Sequence, residues 1–205
     1  FDEDVLPNVK NVIAVASGKG GVGKTTVAAN LAAGLSQLGA RVGILDADIH
    51  GPNVPSLLPL EDDPAISPDE KVHPPKSGGV AVMSTDYLLD GDDPAILRGP
   101  MVNQVMMDFI ENVEWGSLDY LVVDLPPGTG DVVLTTLQEV PVDGVVVVTT
   151  PFHAAVSDTE RSVELFREND VPVLGTVVNM GSFACPSCGD EHELFPDGSP
   201  LANHD

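Results

Sequence analysis

Six short apolar runs, mostly β-branched, punctuate the chain: Val12 to Ala16, Val42 to Leu45, Val80 to Met83, Tyr120 to Val123, Val145 to Thr149 and Val173 to Val178. Most are continuously apolar rather than alternating, the pattern of strands buried on both faces of a parallel sheet. Between the runs the period lengthens. Val27, Leu31, Leu35 and Leu38 fall at i, i+4, i+8 and i+11, one face of a helix, and Gly39 stands where that helix would stop. Further helices are expected near Val102 to Glu111, Asp131 to Gln138 and Ser157 to Glu168. Strand and helix alternating in this way predict an α/β fold of three layers, a mainly parallel sheet with helices on both faces. Gly51 to Gly79 is rich in Pro and Asp and reads as loop, and beyond Gly181 the pattern lapses into loop again. With no internal repeat, residues 1–205 read as a single domain, and a start at Phe1 rather than Met reads as a piece trimmed from a longer protein.

Composition narrows this picture. An apolar share of 42% suits a packed globule rather than a disordered tail. The longest apolar stretches, such as Gly144 to Val148, are too short to cross a bilayer, and no basic-plus-apolar leader opens the chain. A cytoplasmic protein without a membrane partner is expected. The charge is extreme, 32 acidic residues against 9 basic ones, for a formal net charge of −23. Such a surface repels phosphate backbones and argues against nucleic acid as a partner. A docking face for a basic protein would put the acid in a block, but only Asp2 to Asp4 and Glu61 to Asp63 cluster. Scattered acid with few lysines points to a halophile, in whose salt-rich interior screening removes the self-repulsion.

The candidate chemistry begins at Gly18-Lys19-Gly20-Gly21-Val22-Gly23-Lys24-Thr25, which fits G-x-x-x-x-G-K-S/T between an expected strand and an expected helix. Glycines at 18, 20, 21 and 23 let backbone N–H groups turn inward around a phosphate, and the helix aims its positive end there. Lys24 would reach the β- and γ-phosphates, and the Thr25 hydroxyl would ligate magnesium. Asp46 and Asp48 follow one strand and Asp124 another. Strand-end acids in such sheets can converge on the phosphate loop, although Asp at a strand end is also a common cap or turn former. Function is favoured for Asp124 and Asp48; for Asp46 the two readings balance. Cys185 and Cys188, the two cysteines of the chain, are too close to frame a disulfide scaffold for this length, so metal or redox chemistry in a reducing compartment is expected.

Ser17 through Thr26 resembles the deviant, two-lysine Walker A of the MinD and nitrogenase iron protein class. Asp46-Ala47-Asp48-Ile49-His50-Gly51-Pro52-Asn53, Arg98-Gly99-Pro100-Met101, Asp119 through Asp131, and Asn179-Met180 followed by Cys185-Pro186-Ser187-Cys188-Gly189 narrow the likeness. Together they resemble the Mrp/ApbC iron–sulfur carrier ATPases along nearly the whole chain. The resemblance implies a homodimer enclosing two ATP molecules, with Lys19 reaching into the partner's nucleotide. It implies that Asp48 orients or deprotonates the attacking water, that Asp124 holds magnesium through a water, and that Asn179 bonds adenine. The nucleotide-binding set that the resemblance implies is Gly18, Lys19, Gly20, Gly21, Val22, Gly23, Lys24, Thr25, Thr26 and Asn179. It further implies that Cys185 and Cys188 of both subunits ligate one 4Fe–4S cluster, which would pass to apo iron–sulfur proteins. Counting agrees, since two thiolates per chain complete a four-cysteine site only across a two-fold axis. Zinc held by Cys185, Cys188, His192 and one further ligand is an alternative, and a redox pair another. A MinD- or ParA-like positioning ATPase would want an amphipathic tail or a basic surface, neither of which is in the sequence, and would leave the cysteines unexplained. A guanine reader of this superfamily would place Asp three residues after Asn179, where Ser182 stands, so adenine is favoured.

Overall fold

The computed structural model describes residues 5–48, 51–68, 71–88 and 99–195. Ile49, His50, Arg98 and the acidic cluster at Asp2 to Asp4 lie outside the described residues. In chain order the elements are β1 (Val12–Ala16), α1 (Lys24–Gln37), β2 (Val42–Asp46), α2 (Val54–Leu57), β3 (Ala65–Ile66), β4 (Val72–His73), β5 (Lys76–Ser77) and β6 (Val80–Ser84). A 3₁₀ turn at Thr85–Leu88 precedes α3 (Gly99–Glu111), β7 (Tyr120–Asp124), α4 (Asp131–Glu139), β8 (Gly144–Thr149), α5 (His153–Glu168), β9 (Val173–Val178), β10 (Ser182–Ala184) and β11 (Glu191–Glu193).

All six apolar runs form strands of one seven-stranded sheet, in the order β5-β6-β2-β7-β1-β8-β9. Every pairing among those six is parallel, and short β5 adds antiparallel to β6. The two-residue period of each strand divides its side chains between two cores. Val12, Ala14, Ala16, Leu45, Leu121 and Val123 face the layer of α3, α4 and α5, while Val15, Ile44 and Val122 face α1 and α2. Three layers result, as the alternation of elements predicts.

Four local expectations need correction. Past Lys24 at its first position, helix α1 buries Ala28, Ala29 and Ala32 rather than its larger apolar residues; Val27, Leu31 and Leu35 are half-buried beside them, and Leu38 is 86% exposed at the C-cap. Small side chains let the helix approach the sheet closely, which sets the buried stripe. Gly39, at φ 93°, does end it. The stretch from Gly51 to Gly79 is not all loop but holds α2, the β3–β4 pair and β5. Finally, β9 is no buried strand. Among the described residues it pairs with β8 alone, and five of its six residues are exposed. Beyond Gly181 the chain forms a β10–β11 hairpin instead of loop.

Candidate functional site

Central strand β1 delivers the chain at Ser17 into a loop that turns and enters α1 at Lys24. Two of its glycines are required by their surroundings. Gly23 caps α1 in the left-handed region at φ 87°, and a Cβ there would meet Asn179 Nδ2 at 2.3 Å. A Cβ on Gly18 would meet the backbone of Asp158 on α5 at 2.3 Å. The Ser17 hydroxyl donates to the Lys19 carbonyl at 2.9 Å and braces the loop from inside. The loop walls a cavity of 310 Å³ that reaches Thr25, Asp48, Asn53, Leu57 and Pro127.

The strand-end acids divide into two jobs. Parallel register sets Asp46 opposite Asp124, and Asp124 opposite Val15, so both carboxylates arrive beside the phosphate loop. Lys24, buried at the first position of α1, donates to Asp124 Oδ1 at 2.6 Å and lies 4.0 Å from Asp48 Oδ2. Burial pushes the Asp124 carboxyl above its ordinary range, against the pull of Lys24 and of the nearby Thr25 hydroxyl. Its Oδ2 is buried and has no hydrogen-bond partner among the described residues. An orphaned carboxylate oxygen beside a threonine hydroxyl and a phosphate loop fits a magnesium ion with its waters, which would satisfy it.

Asp46 is different. Wholly buried, it accepts from the backbone N–H groups of Asp48 (3.2 Å), Asn53 (2.9 Å) and Val54 (3.0 Å), and from the Ser84 hydroxyl at 3.3 Å. It is a turn former that ties the Asp48-to-Val54 segment to the end of β2, and this segment carries Asp48 into the cavity. Burial raises its pKa to about 6, more than its backbone hydrogen bonds lower it.

Asn179, just past β9, donates its amide to the Val22 carbonyl at 2.9 Å, so the end of the sixth parallel strand is fastened to the phosphate loop. Exposed Lys19 does not share the cavity; its ammonium lies 5.5 Å from the centroid of the Phe152 ring. Cys185 and Cys188 sit in the turn of the β10–β11 hairpin. Cys185 N–H donates to the Asp190 carbonyl and Gly189 N–H to the Cys185 carbonyl, both at 2.8 Å. Gly189 at φ 79° permits this tight turn. Backbone N–H groups of Ser187 and Cys188, with the Cys188 thiol, hold the Cys185 thiol below its ordinary pKa. The Cys188 thiol donates to Asp190 Oδ2 at 3.3 Å. His192 is paired with Phe183 in the hairpin ladder, and among the described residues no three of His, Cys, Asp and Glu gather closely enough to hold a metal.

Sequence reasoning missed the cavity wall made by Ser56 and Leu57, because it read that stretch as loop. It also missed Phe152, an exposed aromatic at a strand-to-helix junction, for which no motif gives a signal.

Residues 8–203 match the ParA-group family described as the NUBPL iron-transfer P-loop NTPase. The chain belongs to this family. Among similar proteins is the iron–sulfur cluster carrier protein of Aquifex aeolicus, 47% identical over 200 residues, which cover 97% of this chain and 55% of the relative. The carrier of Methanococcus maripaludis is 44% identical over 198 residues, covering 95% and 68%. The chain spans about half the length of the first of these relatives. A nucleotide-binding protein of Archaeoglobus fulgidus, solved in complex with ADP, superposes with a TM-score of 0.82 at 40% identity, covering 98% of this chain and 81% of that one. The cell-division ATPase MinD of Pyrococcus furiosus, at 21% identity and a TM-score of 0.61 over 83% of this chain and 72% of its own, shares the fold. Among the described residues no helix is long and apolar enough to cross a membrane.

Proposed function

We propose that residues 1–205 form one ATPase domain of an iron–sulfur cluster carrier, working in the cytoplasm as a homodimer. The observation that carries the reading is the pairing of a phosphate loop with a two-cysteine hairpin rooted beside it, joined where Asn179 meets Val22. Backbone N–H groups from Gly18 to Thr26 and the Lys24 ammonium bind the phosphates. Lys24 exchanges its bond with Asp124 for one with the nucleotide, a short movement for a side chain already at the mouth of the loop. Asp48, 4.0 Å from that ammonium, orients or deprotonates the attacking water. Lys19, held outside its own cavity, serves the nucleotide of a second copy, and Asn179 receives the adenine. Thr25 and Asp124 would hold magnesium, which when bound neutralises charge on the β- and γ-phosphates.

The cargo is a 4Fe–4S cluster, taken by Cys185 and Cys188 of two copies and passed to apo iron–sulfur proteins. A lowered Cys185 pKa supports this, because the thiolate is the ligand. Two cysteines in an exposed turn, without a third ligand gathered to them among the described residues, form half of a four-cysteine site. The test is anaerobic reconstitution with iron and sulfide. About four irons per dimer are expected from a four-cysteine cluster. Cys185→Ser or Cys188→Ser each removes that iron while ATP still binds. A full iron complement in either variant, or one zinc per monomer in the purified protein, overturns the assignment.

A further inference from the structure

Lys19 and the cysteine hairpin are far apart in sequence, yet a single side chain touches both neighbourhoods. Phe152 lies between β8 and α5, where its carbonyl accepts from Ala155 and Val156 N–H at 2.8 and 3.2 Å and starts the helix. Its backbone is therefore held. The ring is 49% exposed and open to a partner on each side. Lys19 Nζ lies 5.5 Å from its centroid, within the reach of a cation–π contact. The Phe195 ring, two residues beyond β11, lies 6.2 Å from it at an interplanar angle of 46°, a tilted aromatic pair. Neighbouring Pro151 is buried against the root of the same hairpin, where a Cβ on Gly181 would meet its ring at 4.0 Å and Leu194 N–H closes onto the Gly181 carbonyl at 3.1 Å.

We propose that Phe152 is a positioning residue that couples the place of Lys19 to the set of the cysteine hairpin. The inference rests on the reading of Lys19 as a nucleotide-directed lysine and of the cysteines as cluster ligands, and it adds the link between them. With the ammonium over one side of the ring, Phe152 is held in the rotamer that meets Phe195, and the second strand of the hairpin is anchored. When Lys19 leaves to meet a phosphate, the ring loses that restraint and the hairpin loosens. Departure of the lysine is thus transmitted to the thiols through two aromatic rings, without a change in the sheet. Small shifts of this kind act as switches only if both arrangements are close in free energy, which an exposed pair of contacts allows.

The test reads the thiols in the nucleotide-free, reduced full chain, by the rate at which iodoacetamide alkylates Cys185 and Cys188. Lys19→Ala, Phe152→Leu and Phe195→Leu should each raise that rate by about threefold or more, since each breaks the same chain of contacts. Phe152→Tyr, which keeps the ring face, should react like the native chain. Lys19→Ala combined with Phe152→Leu should go no further than either alone. Lys19→Ala is the arm that separates coupling from packing: it sits in the phosphate loop, and a purely structural Phe152 would leave its thiol rate native. A native rate in Lys19→Ala, or additive rates in the double variant, overturns the coupling. The parent reading is checked separately, by ATP titration and turnover of Lys19→Ala. If that variant hydrolyses ATP as the native chain does, the nucleotide role of Lys19 fails, whatever the thiols report.

Discussion

The phosphate loop and the cysteine hairpin place their chemistry in opposite surroundings. Around the loop, Lys24, Asp46 and Asp124 are buried where three central strands end; Lys24 and Asp124 hold each other across 100 residues of chain, and Asp46 is held by groups as far off as Ser84. The hairpin exposes every residue of both strands, and its ordering bonds are local, from Cys185 to Asp190 and Gly189. A site that must hold a charged transition state gains from a dry, preorganised setting, where each dipole is already aimed. On the reading proposed above, the hairpin receives and surrenders cargo, which requires that it be reached from outside and completed by a second copy. The difference teaches that rigidity and access are distributed between regions of this fold, and that the residues joining them, Asn179 and Phe152, lie at its seams.

The largest effect expected concerns hydrolysis. Asp48→Ala should leave ATP bound and cut turnover by roughly 10²- to 10⁴-fold, as loss of an acid–base group does. Lys24→Ala should weaken binding itself, because a ground-state phosphate contact goes. Lys19→Ala should bind ATP and hydrolyse it poorly. Titration of ATP against the three variants, with turnover alongside, checks this, and equal loss of affinity in all three would break the assignment.

The next measurement sharpens the contrast in packing. Leu121 is wholly buried in β7, and Leu121→Ala should cost about 2–5 kcal/mol. Leu194, half exposed beside the hairpin, should cost no more than about 0.5 kcal/mol on the same change. Urea unfolding compares the two, and similar losses would mean that the hairpin is as much a part of the core as the sheet.

Two acids extend the comparison to pH. Asp46 has its pKa raised from 3.8 to about 6, so the folded state binds its proton more tightly than the unfolded state. Stability from this group is therefore greatest below its ordinary pKa and falls as pH rises from about 4 to about 6. At about 1.4 kcal/mol per unit the fall is on the order of 2 to 3 kcal/mol. Asp119 behaves oppositely. Its contacts with Arg41 and Lys10 hold its pKa below the ordinary value, so its contribution is present above that value and lost as pH falls. Asp46→Asn should flatten the profile between about pH 4 and 6 and leave the acid limb; a native slope in that window refutes the assignment.

The smallest effect is the most diffuse. With a net charge of −23, screening should raise the melting temperature steadily from dilute buffer towards molar potassium chloride. A flat response over that range would leave the halophile reading without support.

Much of this architecture is legible without coordinates. The six apolar runs and the glycine-rich loop before Lys24 are local signals, governed by side-chain period and backbone sterics, and each forms the element it predicts. Pro186 and Gly189 likewise mark the turn that carries the cysteines. Other properties belong to long-range packing. Leu38 continues a helical stripe on paper, but the helix turns its alanines to the sheet. The Val173 to Val178 run has the pattern of a buried strand, while among the described residues it has β8 on one side alone and is exposed. Asp46 and Asp48 are indistinguishable as strand-end acids until Asn53, Val54 and Ser84 close around the first and the second is carried into the cavity. Lys24 finds Asp124, and Lys19 finds Phe152, across long stretches of chain. Period and turn chemistry act within a few residues, so the order of amino acids determines the elements and the loop. Which side chain is covered, and which acid meets which base, depends on contacts that form only when the sheet brings distant strand ends together.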